Sequence, residues 1–177
     1  MPRLTPDEMQ AFLAERGHLA RIATVRPDGA PHVVPVWFVH DQGRIVITPR
    51  ARSSFLADIT REPRVAVTID EAALPYRKVL VEGRAEIVHH PGDDDVWRDL
   101  YRVIAQRYID PAAAEQYVQA TIDQPRALIA LDLARSRVTT WRMPLEGESF
   151  TGIWATRYYV EGSMMRTAAA ADRKRGD

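Results

Sequence analysis

Arg50, Arg52, Ser53 and Ser54 fall in the run ITPRARSSFLADITREP (residues 47–63), between an apolar strand-like stretch and a helical pattern. Two guanidiniums and two hydroxyls at that spacing suit the recognition of an anion. The first amides of a helix lack intrahelical acceptors and attract phosphate, and Arg clamps it in bidentate fashion. The plainer reading is a loop and a helix cap, since Ser is among the preferred capping residues. Two further basic clusters, Tyr76-Arg77-Lys78 and Trp141-Arg142, stand at strand ends. Each alone reads as a solvated strand end. Together with Arg50 and Arg52 they could surround one anionic ligand, with Trp37, Tyr76 or Trp141 offering a flat surface to a ring. Phosphate plus ring is what a flavin-like cofactor presents, and single-stranded nucleic acid presents the same pair. Lys+Arg and Asp+Glu both number 24, so no global field draws the chain to nucleic acid or to an acidic membrane. No continuous basic aromatic strip is present either.

Other chemistries find little support. There are no cysteines, which removes disulfides, thiolate metal sites and thiol nucleophiles, so redox chemistry requires a bound cofactor. Gly147 to Gly152 has the spacing of a phosphate loop but is followed by Ile153 and Trp154 instead of Lys and a hydroxyl. Neither G-x-G-x-x-G nor G-x-S-x-G occurs, which argues against a Rossmann domain and a serine hydrolase. Of five histidines, His89 and His90 lie near a run of acids, Asp93 to Asp95, but adjacent residues of a strand point to opposite faces. No metal site is expected. The N-terminus lacks a basic segment followed by an apolar run, and no stretch approaches the roughly eighteen apolar residues of a membrane span, so the expectation is a soluble, cytoplasmic protein.

The elements that must position these groups are legible in outline. At 177 residues the chain suits one domain that buries roughly 70% of its unfolded surface. Thr5-Pro6-Asp7-Glu8 opens a helix with a capping box and Pro at the first position, and Gly17 ends it. LARIATV, the turn Arg26-Pro27-Asp28-Gly29 and PHVVPVWFV make a hairpin, and RIVIT extends it to a meander. Pro35 cannot donate to a ladder, so its strand needs an open side or a bulge. A short helix carries Phe55, Leu56 and Ile59 and stops at Pro63; RVAVTID follows as a strand. Residues 76–90 read as one long strand with a bend at Gly83. Asp93 to Asp95 then start a helix with Val96, Leu100, Val103 and Ile104 on one face and Trp97, Tyr101 and Tyr108 beside it. Pro111 begins another helix, and RALIALDL and RVTTW complete about seven strands in antiparallel order, a Greek-key-like or partly open barrel. From Met143 the pattern weakens, and the aromatic run GESFTGIWATRYYV suits a segment that covers a partner subunit before a frayed end.

The order ARIATVRPDGAPHVVPVWF, a meander strand ending in ITPRARSS, a short helix ending in TREPRVAVTID, and PYRKVLVEGRAEIV resembles the pyridoxamine 5'-phosphate oxidase-like split-barrel flavoproteins over about residues 7–142. It looks closest to the branch that includes actinobacterial reductases using the deazaflavin coenzyme F420. The resemblance implies a mainly β fold, a six-stranded antiparallel split β-barrel that is Greek-key-like and homodimeric, with cofactor clefts at the interface. The barrel domain would span 1–142 with a helical insertion at about 93–121, and a C-terminal extension 143–177. Carried over by position, Val33, Val34, Pro35, Val36 and Trp37 would run beside the ring system of FMN or F420. Thr48, Pro49, Arg50, Arg52, Ser53 and Ser54 would take the phosphate of its tail. Tyr76, Arg77, Lys78, Trp141 and Arg142 would approach from strand ends near the interface. The implied activity is hydride transfer between that ring and a small organic substrate, with His32, Tyr76 or solvent as proton source. The other reading is non-catalytic binding of a flavin, a deazaflavin or haem, the last with His32, His89 or His90 as axial candidate. One position departs from the pattern: many relatives carry a Lys after the Ser that starts the short helix, where this chain has Phe55. Loss of that charge-assisted contact costs on the order of 1.5–3 kcal/mol unless replaced, and Arg50 or Arg52 is the expected replacement.

Overall fold

A computed structural model describes residues 2–148 and 158–173. The chain order is α1 (Pro6–Ala14), β1 (Ala20–Val25), β2 (Pro31–Val36), β3 (Val39–Asp41), β4 (Arg44–Ile47), α2 (Ser54–Arg61), β5 (Arg64–Asp70) and β6 (Lys78–Arg84). It continues with β7 (Glu86–His89), α3 (Asp94–Gln106), α4 (Pro111–Ala120), β8 (Leu128–Asp132), β9 (Arg137–Trp141) and α5 (Met164–Arg173). The start of α1 follows the expected reciprocal cap: Glu8 N–H donates to Thr5 Oγ1 at 3.2 Å and Thr5 N–H to Glu8 Oε2 at 2.7 Å.

Nine strands replace the seven read from periodicity, because two runs that look continuous break where the chain changes sheet. PHVVPVWFV breaks at Trp37-Phe38 and the 76–90 run breaks at Ala85. Each break carries the chain from a five-stranded antiparallel sheet, ordered β2-β1-β5-β6-β9, to a four-stranded one, ordered β3-β4-β8-β7. Phe38 and Ala85 are both buried at these corners, and Ala85 N–H donates to the Pro63 carbonyl at 2.8 Å. The bend expected at Gly83 is absent: Gly83 pairs regularly with Val65, and the register shift lies instead between Ile87 and His89 of β7. Glycine is required there for space, since a Cβ would come within 2.3 Å of Ser136 Oγ. β2 is an edge strand hydrogen-bonded only to β1, the open side that Pro35 demands.

The main core lies between the sheets. Phe12 and Leu13 of α1 meet Ile22, Phe38, Ile45, Ile59, Val67, Ile69, Val79 and Ile129 there. A second apolar layer covers the other face of the four-stranded sheet, where Val39, Val46, Leu128 and Ala130 lie under Trp97, Tyr101, Ile104 and Val118 of α3 and α4. β8 is therefore covered on both faces, which accounts for its unbroken apolar run. The buried stripe of α3 is Trp97, Tyr101, Ile104 and Ala105, whereas Val96 and Val103, placed on the apolar face by sequence, are 73% and 48% exposed. The aromatic side chains win the inward position because each covers more apolar area than a Val. Most of GESFTGIWATRYYV lies outside the described residues. Among the described residues no helix is long and apolar enough to cross a membrane.

Candidate functional site

The last residues of β2 and β4 and the start of α2 converge under the α3–α4 hairpin, around a cavity of about 310 Å³. Six residues singled out by sequence line it: Val36, Trp37, Thr48, Pro49, Arg50 and Ser53. Phe55, at the position where the sequence departs from the family pattern, lines it too, as do three residues that sequence reasoning did not assign to the site: Tyr101, Tyr117 and Arg126.

Local chain chemistry holds the basic side of the cavity in place. A single antiparallel bridge pairs Arg50 with Arg126, flanked by Ala51 N–H to the Pro125 carbonyl at 2.8 Å and Ala127 N–H to the Pro49 carbonyl at 3.0 Å. Ser53 donates both its N–H, at 2.9 Å, and its hydroxyl, at 2.8 Å, to the Arg50 carbonyl. Its hydroxyl therefore does not cap α2, and no cap side chain accepts from that helix's first amides. The helix is pinned from below: Leu56 and Ile59 enter the core, and Asp58 Oδ2 accepts from Thr24 Oγ1 at 2.9 Å and lies 2.9 Å from His32 Nδ1. The bond to His32 holds the Asp58 carboxyl below the usual range against the opposing effect of burial. At the far end of α2, Arg61 donates to the Val25 carbonyl.

The apolar side is an aromatic wall. Trp37 stacks on Tyr108 with ring centroids 5.0 Å apart and planes 3° from parallel, and Tyr117 meets it edge-on at 5.3 Å. The Tyr108 hydroxyl donates to the His18 carbonyl at 2.7 Å and accepts from Phe38 N–H at 3.1 Å, so the stack is fixed at the sheet corner. Burial pushes the Tyr101 hydroxyl up to about 12. For Tyr117 burial acts in the same sense, but the neighbouring Tyr101 hydroxyl and the Arg126 guanidinium outweigh it and bring that phenol below its ordinary value. Arg126 is 7% exposed and its guanidinium lies over the Tyr101 ring at 4.5 Å.

The remaining sequence-selected residues are not brought to this cavity within the chain. Val33 and Pro35 are exposed on the edge strand, Val33 at 59%, while Val34 packs against the core. Arg52 lines a neighbouring depression with Asp123, Gln124 and Pro125. Ser54 is exposed as the first residue of α2. Tyr76, Arg77 and Lys78 sit at the entry to β6, three strands from β2 and so about 14 Å across the sheet. Tyr76 adopts φ +54° and is half-exposed. Arg77 is held over the Phe12 ring between Glu15 and Glu71, with Nη1 2.6 Å from Glu15 Oε1 and Nη2 2.6 Å from Glu71 Oε2. Both carboxyls are held below their usual range by that guanidinium. Glu15, His18 and Glu71 have ligand atoms within 4.8 Å of one another, but the Arg77 side chain bonds to both acids of that group. Lys78 Nζ lies 4.8 Å over the Trp141 ring, and Arg142 donates to Glu148 at 2.6 and 2.9 Å. Among the described lining residues there is no histidine; His32 is engaged with Asp58.

Known proteins agree with this arrangement of sheets. A family model described as pyridoxamine 5'-phosphate oxidase matches residues 5–140. The chain is 33% identical over 131 residues to the F420H(2)-dependent biliverdin reductase of Mycobacterium tuberculosis, covering 72% of this chain and 89% of that one. Among solved structures it is similar to an F420 reductase, with TM-score 0.52, 27% identity and coverage of 71% and 90%. It also resembles a conserved hypothetical protein of Mycobacterium tuberculosis, with TM-score 0.63, 22% identity and coverage of 82% and 92%. With its two antiparallel sheets and the matched span from α1 to β9, the chain belongs to the pyridoxamine 5'-phosphate oxidase-like split-barrel family.

Proposed function

We propose that the protein is a reductase that uses F420 or FMN to transfer hydride to a small organic substrate. One observation carries the reading: the cavity joins an aromatic wall, Trp37 and Tyr117, to a group of anion donors, Arg50 and the uncapped start of α2. The F420-dependent relative, 33% identical, supports it. In this reading the exposed edge of β2 from Val33 to Trp37 lies along the ring, and Thr48, Pro49, Arg50, Arg52, Ser53 and Ser54 hold the phosphate. A homodimer brings Tyr76, Arg77, Lys78, Trp141 and Arg142 toward the partner's cleft. The cofactor, when bound, supplies the hydride chemistry; the chain orients its ring, neutralises its tail and excludes water beneath the α3–α4 hairpin.

Titration of the purified protein with FMN and with F420, read by fluorescence quenching and thermal shift, should show binding of at least one at micromolar concentration. Binding of neither at tens of micromolar overturns the proposal. With reduced F420 supplied anaerobically, biliverdin, the substrate in the relative's name, is the first acceptor to assay. Consumption of reduced F420 that depends on both protein and acceptor is the expected result.

A further inference from the structure

We propose that Arg126 is the buried cation of the anion site: its guanidinium receives the phosphate group of the ligand, with Arg50 and the first amides of α2 completing the cradle. The inference rests on the reading above, that a phosphate-bearing ligand enters the cavity, and names the side chain that decides its charge recognition.

Arg126 is 7% exposed and lines the cavity, yet among the described residues no carboxylate lies within 4.0 Å of its guanidinium. Its partners are neutral. Nη1 donates to the Thr48 carbonyl at 2.9 Å and Nη2 to the Tyr117 hydroxyl at 3.3 Å, while buried Nε has no partner. Two of five N–H donors are thus engaged. Asp94 holds this residue by its main-chain N–H, at 2.8 Å, and turns its other oxygen to Gly92 N–H at 3.0 Å. The other buried arginine among the described residues, Arg142, carries Glu148 on its fork. A buried guanidinium without a counter-ion is costly in a folded protein, and an entering anion removes that cost.

The pairing of Arg50 with Arg126 adds a second argument. Like charges directly opposite across strands repel, and here both line one cavity. An anion between them converts repulsion into two charge-assisted contacts. Arg50 is exposed and its field is weakened by water, and Arg52 lines the neighbouring depression, so the weight falls on Arg126.

The test compares ligands that differ only in the phosphate. Dissociation constants for FMN and riboflavin are measured by fluorescence quenching with wild type and R126Q. The FMN preference of wild type should shrink by about tenfold or more in R126Q, with riboflavin affinity unchanged. A variant that merely misfolds loses both ligands; in that event R126K, a point charge without the fork, should keep riboflavin binding and lose at least about threefold of the preference. Pyrophosphate alone should raise the melting temperature of wild type and leave that of R126Q unmoved. If wild type binds no flavin or deazaflavin but responds to pyrophosphate in this way, the reductase reading falls and the assignment of Arg126 stands. An FMN preference unchanged in R126Q, or equal stabilisation of both proteins by pyrophosphate, overturns it.

Discussion

Phe55 sits in the first turn of α2, lines the cavity and packs partly against the core. A cation at this position would add to the field of Arg50 and Arg126, so F55K should tighten FMN relative to riboflavin by about three- to tenfold. The ratio of the two dissociation constants checks this, and no change would mean that the first turn does not face the phosphate. At this scale the sequence was informative where the cavity lining and a local signal coincide. Arg50 and Ser53 stand out because a helix start and two guanidiniums share one short run. Arg126 gives no such signal: it precedes the apolar run of β8 and becomes a site residue only through its bridge to Arg50, 76 positions earlier. Tyr101 was missed because two stripes of the α3 sequence, one residue apart, both satisfy the helical period. Packing under β8 chose the aromatic one.

Among the elements, α2 has the largest bearing on the site, since its placement sets where the proposed phosphate donors point. Asp58 anchors it to β1 and β2 through Thr24 and His32. The folded carboxyl titrates below its ordinary 3.8, so its contribution is fully present above about pH 4 and is lost as pH falls through the lowered folded value. D58N should cost about 1–3 kcal/mol at pH 7. The gap in melting temperature from wild type should narrow as pH drops below about 4, and a gap constant down to pH 3 would contradict the assignment. The order of elements was readable because caps and turns are local: Thr5 with Glu8 and Arg26 to Gly29 announce themselves. The corners at Trp37-Phe38 and Ala85 were not readable. A change of sheet is set by which residues the opposite layer buries, and periodicity along one strand carries no record of that.

For the whole molecule the proposed assembly makes a direct claim on mass. The outer face of the five-stranded sheet carries Pro35, Arg21, Thr68, Leu80 and Thr139 across its five strands, and Thr68 Oγ1 is buried without a partner. Light scattering at micromolar concentration should return twice the 20.0 kDa of one chain. V33D, on the exposed edge beside that face, should shift the protein toward the single-chain mass; a wild type that is monomeric throughout refutes the homodimer. The connection between β7 and β8 has a different consequence. His89 pairs with Leu128, so the long α3–α4 excursion begins and ends at neighbouring points of one ladder. Its two ends are thus fixed by the sheet, while the residues between them belong to neither ladder. In a chimaera, where the splice falls decides what is inherited. A junction at His89 and Leu128 exports Arg126 with the donor segment. One placed between Asp94 and Pro125 swaps the roof of the cavity, keeps the tie from Asp94 to Arg126, and leaves the host its own charge.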